Sequence, residues 1–153
     1  MTTYELLKTL HIVAVVAWVG GALTVNLLGT RIAATNDTAR IVAFSRDAGW
    51  IGQRFFLPAS VVVLVMGVLA VLDGNWGFEE PWVGIGIVGI VATALTGSLV
   101  LGPEATRIGE LAQAQGSTGA EIQRRIRRIL TISRIDLAVL FVVVVVMVVK
   151  PGA

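Results

Sequence analysis

Hydrophobic positions fall along this chain in four long blocks, at about residues 6–28, 55–72, 82–101 and 130–149, with polar stretches between them. A helix needs about 20 largely apolar residues to cross the hydrocarbon of a bilayer, and each block meets that need. The fourth is the densest, with valine at every position from Val142 to Val146. β-Branched residues weaken helices in water. Hydrocarbon, however, offers the backbone no outside partners, so each block must close its own hydrogen bonds as a helix. The pattern predicts an all-α integral membrane four-helix bundle, a single transmembrane domain over residues 1–153.

Within the first block, Tyr4, Lys8, His11, Val15, Trp18, Ala22 and Val25 recur at alternating four- and three-residue steps and so share one helix face. That face is expected to point into the bundle, because polar groups at membrane depth are costly without partners. Gly20 and Gly21 adjoin it and let a neighbouring helix or a flat ligand come close. In the third block Gly84, Gly86 and Gly89 spell G-x-G-x-x-G, but the strand that should precede a dinucleotide site is missing. Gly89, Thr93 and Gly97 recur every four residues, and helix–helix packing explains them better.

The polar stretches carry their own punctuation. Gly102-Pro103 predicts the end of the third helix, and Gly116-Ser117-Thr118-Gly119 a flexible joint. From Glu121 onward, Ile122, Ile126, Ile129 and Leu130 recur at helical spacing around Arg124, Arg125, Arg127 and Arg128. This predicts a cytoplasmic surface helix that lies on anionic lipid and runs into the fourth span. Arg134 and Asp136, at the inner end of that span, are expected to form ion pairs with Glu104 and Arg54 at similar depth.

Charge orients the bundle. All ten arginines lie in two stretches: Arg31, Arg40, Arg46 and Arg54 in one, and Arg107, Arg124, Arg125, Arg127, Arg128 and Arg134 in the other. Cytoplasmic loops of membrane proteins collect Lys and Arg, which places both stretches inside. The connector at residues 73–81 has three acids and no base, so it belongs outside. Both termini are then outside, with the only two lysines, Lys8 and Lys150. Trp76 and Trp82 fit the outer aromatic belt and Trp50 the inner one. The start, Met1-Thr2-Thr3-Tyr4-Glu5, has no base before the apolar block, so the block reads as a retained span rather than a cleaved signal.

Composition excludes several classes. A chain of 153 residues that is 56% hydrophobic, with a mean hydropathy of +0.85, is too apolar for a soluble domain. The net charge of +2 and pI near 9.7 arise from arginines flanking the spans, where attraction to anionic headgroups accounts for them without any nucleic acid. There is no cysteine, and hence no disulfide, catalytic thiolate or Cys-ligated metal within the chain. No serine–histidine–acid set can be assembled at one depth.

His11 is the lone histidine, about one turn below the outer boundary. Neutral imidazole is a good ligand for iron or copper. One histidine leaves such a site incomplete, so a second axial ligand would have to be Met147, Met66 or His11 of a second subunit. The plainer alternative is a histidine that only hydrogen-bonds a neighbouring helix.

The segment Leu7-Lys8-Thr9-Leu10-His11, followed by Trp18-Val19-Gly20-Gly21, resembles the opening helix of small bacterial four-helix integral membrane proteins of unknown function. It is similar in pattern to the CopD-type copper-resistance proteins and the HemJ-type protoporphyrinogen oxidases. Arg134-Ile135-Asp136, leading through an apolar run to Val149-Lys150-Pro151, looks like the HemJ ending. The HemJ pattern has further charged and histidine positions after the tryptophan and a lysine in its third helix. Here Thr24-Val25-Asn26-Leu27 follow the glycines, and no lysine occurs between residues 82 and 101.

The resemblance implies a bacterial inner-membrane protein that binds haem b through His11, with redox chemistry in the membrane. Lys8 and Lys150 would lie near the haem propionates, with Trp18 on the same face, and a homo-oligomer could complete the ligation. Two further readings stand beside this one. The glycine-rich third span suits a non-catalytic accessory subunit of a larger membrane complex, and the third reading is transport of a metal or small solute.

Overall fold

The structure, a computed structural model, describes residues 1–152. It consists of α1 (Thr3–Ala33), α2 (Thr38–Ile51), α3 (Leu57–Asp73), α4 (Pro81–Leu95), α5 (Gly102–Gln115) and α6 (Ala120–Val149), with no strand among the described residues. α2 and α3 are joined without a break by a π-helical segment, Gly52–Phe56, and α4 and α5 by another, Thr96–Leu101. Four rods therefore make up the molecule, all long and apolar enough to cross a membrane. α1 starts in a capping box: the Thr2 hydroxyl accepts the Glu5 N–H at 3.2 Å, and the Glu5 carboxylate accepts the Thr2 N–H at 2.8 Å. Asp37 caps α2 by accepting the Arg40 N–H at 3.2 Å.

Three expectations about the polar stretches need correction. Gly102-Pro103 does not end the third helix. Within the π segment the hydrogen bonds reach back five residues, Gly102 N–H bonding to Gly97 O, and the widened turn relieves the clash between a proline ring and the preceding turn. Pro58 follows the other π segment in the same way, with Leu57 N–H bonded to Gly52 O. Second, the stretch from Glu121 to Arg128 is not a helix lying on lipid. It is the first part of α6, and its Ile122 and Ile126 are buried against Ile41 of α2 and Ile108 and Ala112 of α5. Third, the Gly116–Gly119 connection is a tied turn. The Ser117 hydroxyl, 1% exposed, donates to Asn36 O at 2.5 Å, while Ser117 N–H donates to Thr38 Oγ1 at 3.1 Å.

Around the bundle the spans are neighbours in the order α1, α3, α4, α6, with α6 closing back on α1. One buried residue from each, Trp18, Val63, Ile90 and Leu140, forms a layer across the middle. These positions fall close to the centres of the four apolar blocks, so the layer marks the bilayer midplane. At the arginine end, the α2 and α5 extensions pack together and enclose the core of Ile41, Ile108, Ala112, Ile122 and Ile126 with the end of α1 and the start of α6. At the opposite end, Val71, Trp82 and Val83 cluster with Trp76, Ile87, Val146 and Met147.

The glycines of α4 and of the π segment after it divide by role. A Cβ on Gly86 would run into the Met147 side chain and one on Gly89 into Val143, so these two let α6 approach closely, whereas Gly84 and Gly97 face open space.

Candidate functional site

The α1 face picked out by spacing does turn inward for most of its length. Trp18 is buried and Tyr4, His11, Val15, Ala22 and Val25 are partly buried, but Lys8 is exposed. His11 sits on the seam between α1 and α3. Its Nδ1 lies 2.8 Å from the Val63 carbonyl oxygen, so Nδ1 carries the proton and donates it. The ring lies against Gly67, where an added Cβ would come within 2.9 Å of His11 Cε1. Glycine at this position is what admits the imidazole between the two helices.

Met147 is seven residues from Leu140, as His11 is from Trp18, so the two lie at the same depth. They occupy different seams, however, since Met147 fills the notch at Gly86 between α6 and α4. Lys150 Nζ stands 4.2 Å from the Trp76 ring centroid and 4.8 Å from that of Trp82, and the two indoles meet edge to face at 5.5 Å. Its charge is thus already engaged by two aromatic faces. Lys8 Nζ is 5.7 Å from the Tyr4 ring. Of the five sequence-predicted site residues, Lys8, His11 and Trp18 stay together on α1, while Met147 and Lys150 belong to a separate cluster.

The expected ion-pair network at the inner end forms differently. Glu104 accepts from Arg125 Nη1 at 3.0 Å, and Glu121 accepts from Arg125 Nε at 3.3 Å. These carboxylates, Glu104 foremost, hold the Arg125 guanidinium above its ordinary value. Arg134 donates to Thr30 Oγ1 at 3.2 Å, and Asp136 has no ion-pair or hydrogen-bond partner among the described residues. A further tie that spacing did not disclose joins α1 to α6: Asn26 Nδ2 donates to Ser133 Oγ at 2.7 Å. Outside the spans, a groove of about 310 Å³ between α2 and α5 is bordered by Arg46, Trp50, Gln53, Thr106 and Glu110. Its residues come from two stretches more than fifty positions apart, so no local pattern announces it.

No group of three or more His, Cys, Asp or Glu side chains that could hold a metal ion occurs among the described residues. No curated protein and no solved structure matches the chain. Four apolar rods, an inward-facing α1 stripe and the Lys8–His11–Trp18 pattern accompany a sequence match over residues 5–151, by which the chain belongs to the family described as predicted integral membrane protein (DUF2269).

Proposed function

We propose that this chain is a haem b-binding redox protein of the bacterial inner membrane, with His11 Nε2 as one axial ligand and His11 of a second copy as the other. The supporting observation is the hydrogen bond from His11 Nδ1 to the Val63 carbonyl, which leaves the Nε2 lone pair free. An imidazole held in this way has a set tautomer and a set ring direction, as metal-bound histidines commonly do. The donors of one chain fit one axial position. Met147 faces the other seam, which is why the second ligand is assigned to another copy. Bound haem would supply one-electron transfer. Lys8, exposed one turn from His11, is the residue available to meet a propionate, since Lys150 is engaged by Trp76 and Trp82. In the orientation set by the arginines, this site lies toward the outer face, and the arginine end meets anionic headgroups on the cytoplasmic side.

A purely structural His11 would use the same hydrogen bond, so the test has to see the cofactor itself. Gently solubilised protein is expected to show a Soret band and about one haem per two chains. His11→Ala should abolish the band and Met147→Leu should retain it. Colourless protein, or a Soret band indifferent to His11→Ala, overturns the proposal.

A further inference from the structure

Asp136 is the ionisable side chain closest to the middle of the bundle. It lies four residues before Leu140 on the inward stripe of α6, which runs through Ser133, Leu137, Leu140, Val143 and Met147. At 1.5 Å per residue that is about 6 Å from the midplane layer, toward the arginine end. The residue is partly buried and unpartnered, and the nearest base in sequence, Arg134, is turned to Thr30. The neighbouring spans bring no compensating charge. α1 has none between Lys8 and Arg31 except the titratable His11, on the far side of the Trp18 layer. α3 has none before Asp73, the Arg54 of the preceding π segment is exposed and forms no ion pair among the described residues, and α4 with its π segment has none between Glu80 and Glu104.

Small and oxygen-bearing residues share this level. One turn from the midplane layer come Ala22 on α1, Ala59 and Ser60 on α3, and Thr93 and Ala94 on α4. Ser60 and Thr93 are buried and donate to their own helices, Ser60 Oγ to Leu57 O at 2.7 Å and Thr93 Oγ1 to Gly89 O at 3.0 Å. Their protons are committed, and what remains at these hydroxyls is lone pairs. Just beyond, the two π segments touch each other, and the second also touches α6. Each is followed by a proline, Pro58 or Pro103, which has no N–H to offer the carbonyls of the preceding turn. π turns recur at functional sites, and carbonyls released by interrupted helices hold Na⁺ or H⁺ in membrane transporters.

From this juxtaposition we infer that Asp136, with Thr93 of the adjoining α4 and the π segment Thr96–Leu101 that touches α6, forms an intramembrane site for one small monovalent cation, a proton or a sodium ion. A carboxylate without a counter-charge is costly at this depth, and one bound cation brings the site from −1 to neutral. With no second acid gathered beside it, the single charge matches a monovalent ion rather than a divalent metal.

The test follows full-length protein in lipid nanodiscs by infrared difference spectroscopy as pH is stepped, in choline chloride and in sodium chloride. In choline, the wild type is expected to show a protonated-carboxyl C=O band that disappears as pH rises. Asp136→Asn should lose the band, and Asp136→Glu should keep it at a shifted frequency. A transition at lower pH in sodium than in choline assigns sodium to the site as well, whereas coincident transitions assign it to the proton alone. Absence of any carboxyl band that changes between about pH 4 and 10 in the wild type, or survival of the band unaltered in Asp136→Asn, overturns the inference. The Asp136→Glu variant decides even if the asparagine variant fails to fold, because a band left at the wild-type frequency belongs to one of the other nine side-chain carboxyls and overturns the inference. The readout requires no haem, so it stands apart from the fate of the His11 proposal.

Discussion

The core at the arginine end and the layer at the middle of the spans are both made by four helical segments, yet different forces hold them. At the arginine end Ile41, Ile108, Ala112, Ile122 and Ile126 are 6% exposed or less, wrapped by α2, α5 and the ends of α1 and α6 with arginines and glutamines outside. In the spans, Val16, Val88 and Val148 are each more than 60% exposed. A core facing water is driven together by removal of apolar surface. In lipid that drive is absent, and helices associate through close fit and polar ties. The span contacts are of this kind: Val143 against Gly89, Met147 against Gly86, Asn26 to Ser133, and His11 to the Val63 carbonyl.

The contrast can be broken most forcefully at Ile108. Ile108→Asp puts an unpaired charge into the water-driven core and should cost about 4 kcal/mol or more. Amide exchange should accelerate through α2 and α5 while the spans stay protected. Equal acceleration in the spans would mean that the two regions unfold as one unit. Gly89→Val should next force α4 from α6, at about 1–3 kcal/mol. Amide exchange should accelerate in α4 if that contact opens. Ser117→Ala removes a buried hydroxyl serving Asn36 and Thr38, and a loss of about 1–2 kcal/mol should appear in thermal melts. The smallest effect belongs to Arg125→Ala. That pair is solvent-screened, so any lowering of the melting temperature should fade as salt is raised. The raised guanidinium value means that titration of the arginine itself removes this contribution only above the ordinary arginine range, while protonation of its carboxylate partners removes it in acid. A melt series from acid to neutral pH should therefore show no arginine transition.

Some positions could be read from spacing and others could not. The inward face of α1 followed from four- and three-residue steps, because a helix of known pitch places those side chains on one side whatever surrounds it. Of the four-residue series Gly89, Thr93 and Gly97, Gly89 does meet α6, whereas Gly97 faces open space and Gly86, outside that series, makes the other close contact. Lys8 departed from its stripe because a long cationic side chain near a helix end reaches outward. Pro103 misled because proline signals a stop only when the turn before it is an ordinary α turn, and here a π segment precedes it. The isoleucines of α6 were assigned to lipid because amphipathic spacing reveals an apolar side without naming what covers it. The extensions α2 and α5 cover it.

The sequence by itself determined that this is a multi-pass helical membrane protein, since apolar length and the backbone's need for internal hydrogen bonds leave no other solution. It also determined which residues share a helix face and at what depth. Only the tertiary structure decided who meets whom: His11 with α3 rather than with Met147, Lys150 with two indoles, Glu104 with Arg125, and Asp136 with no ion-pair partner among the described residues. Helical pitch is a local property of the backbone, but the partner across a seam depends on the rotation and neighbour order of whole rods. Those are set by the summed fit of residues far apart in the chain.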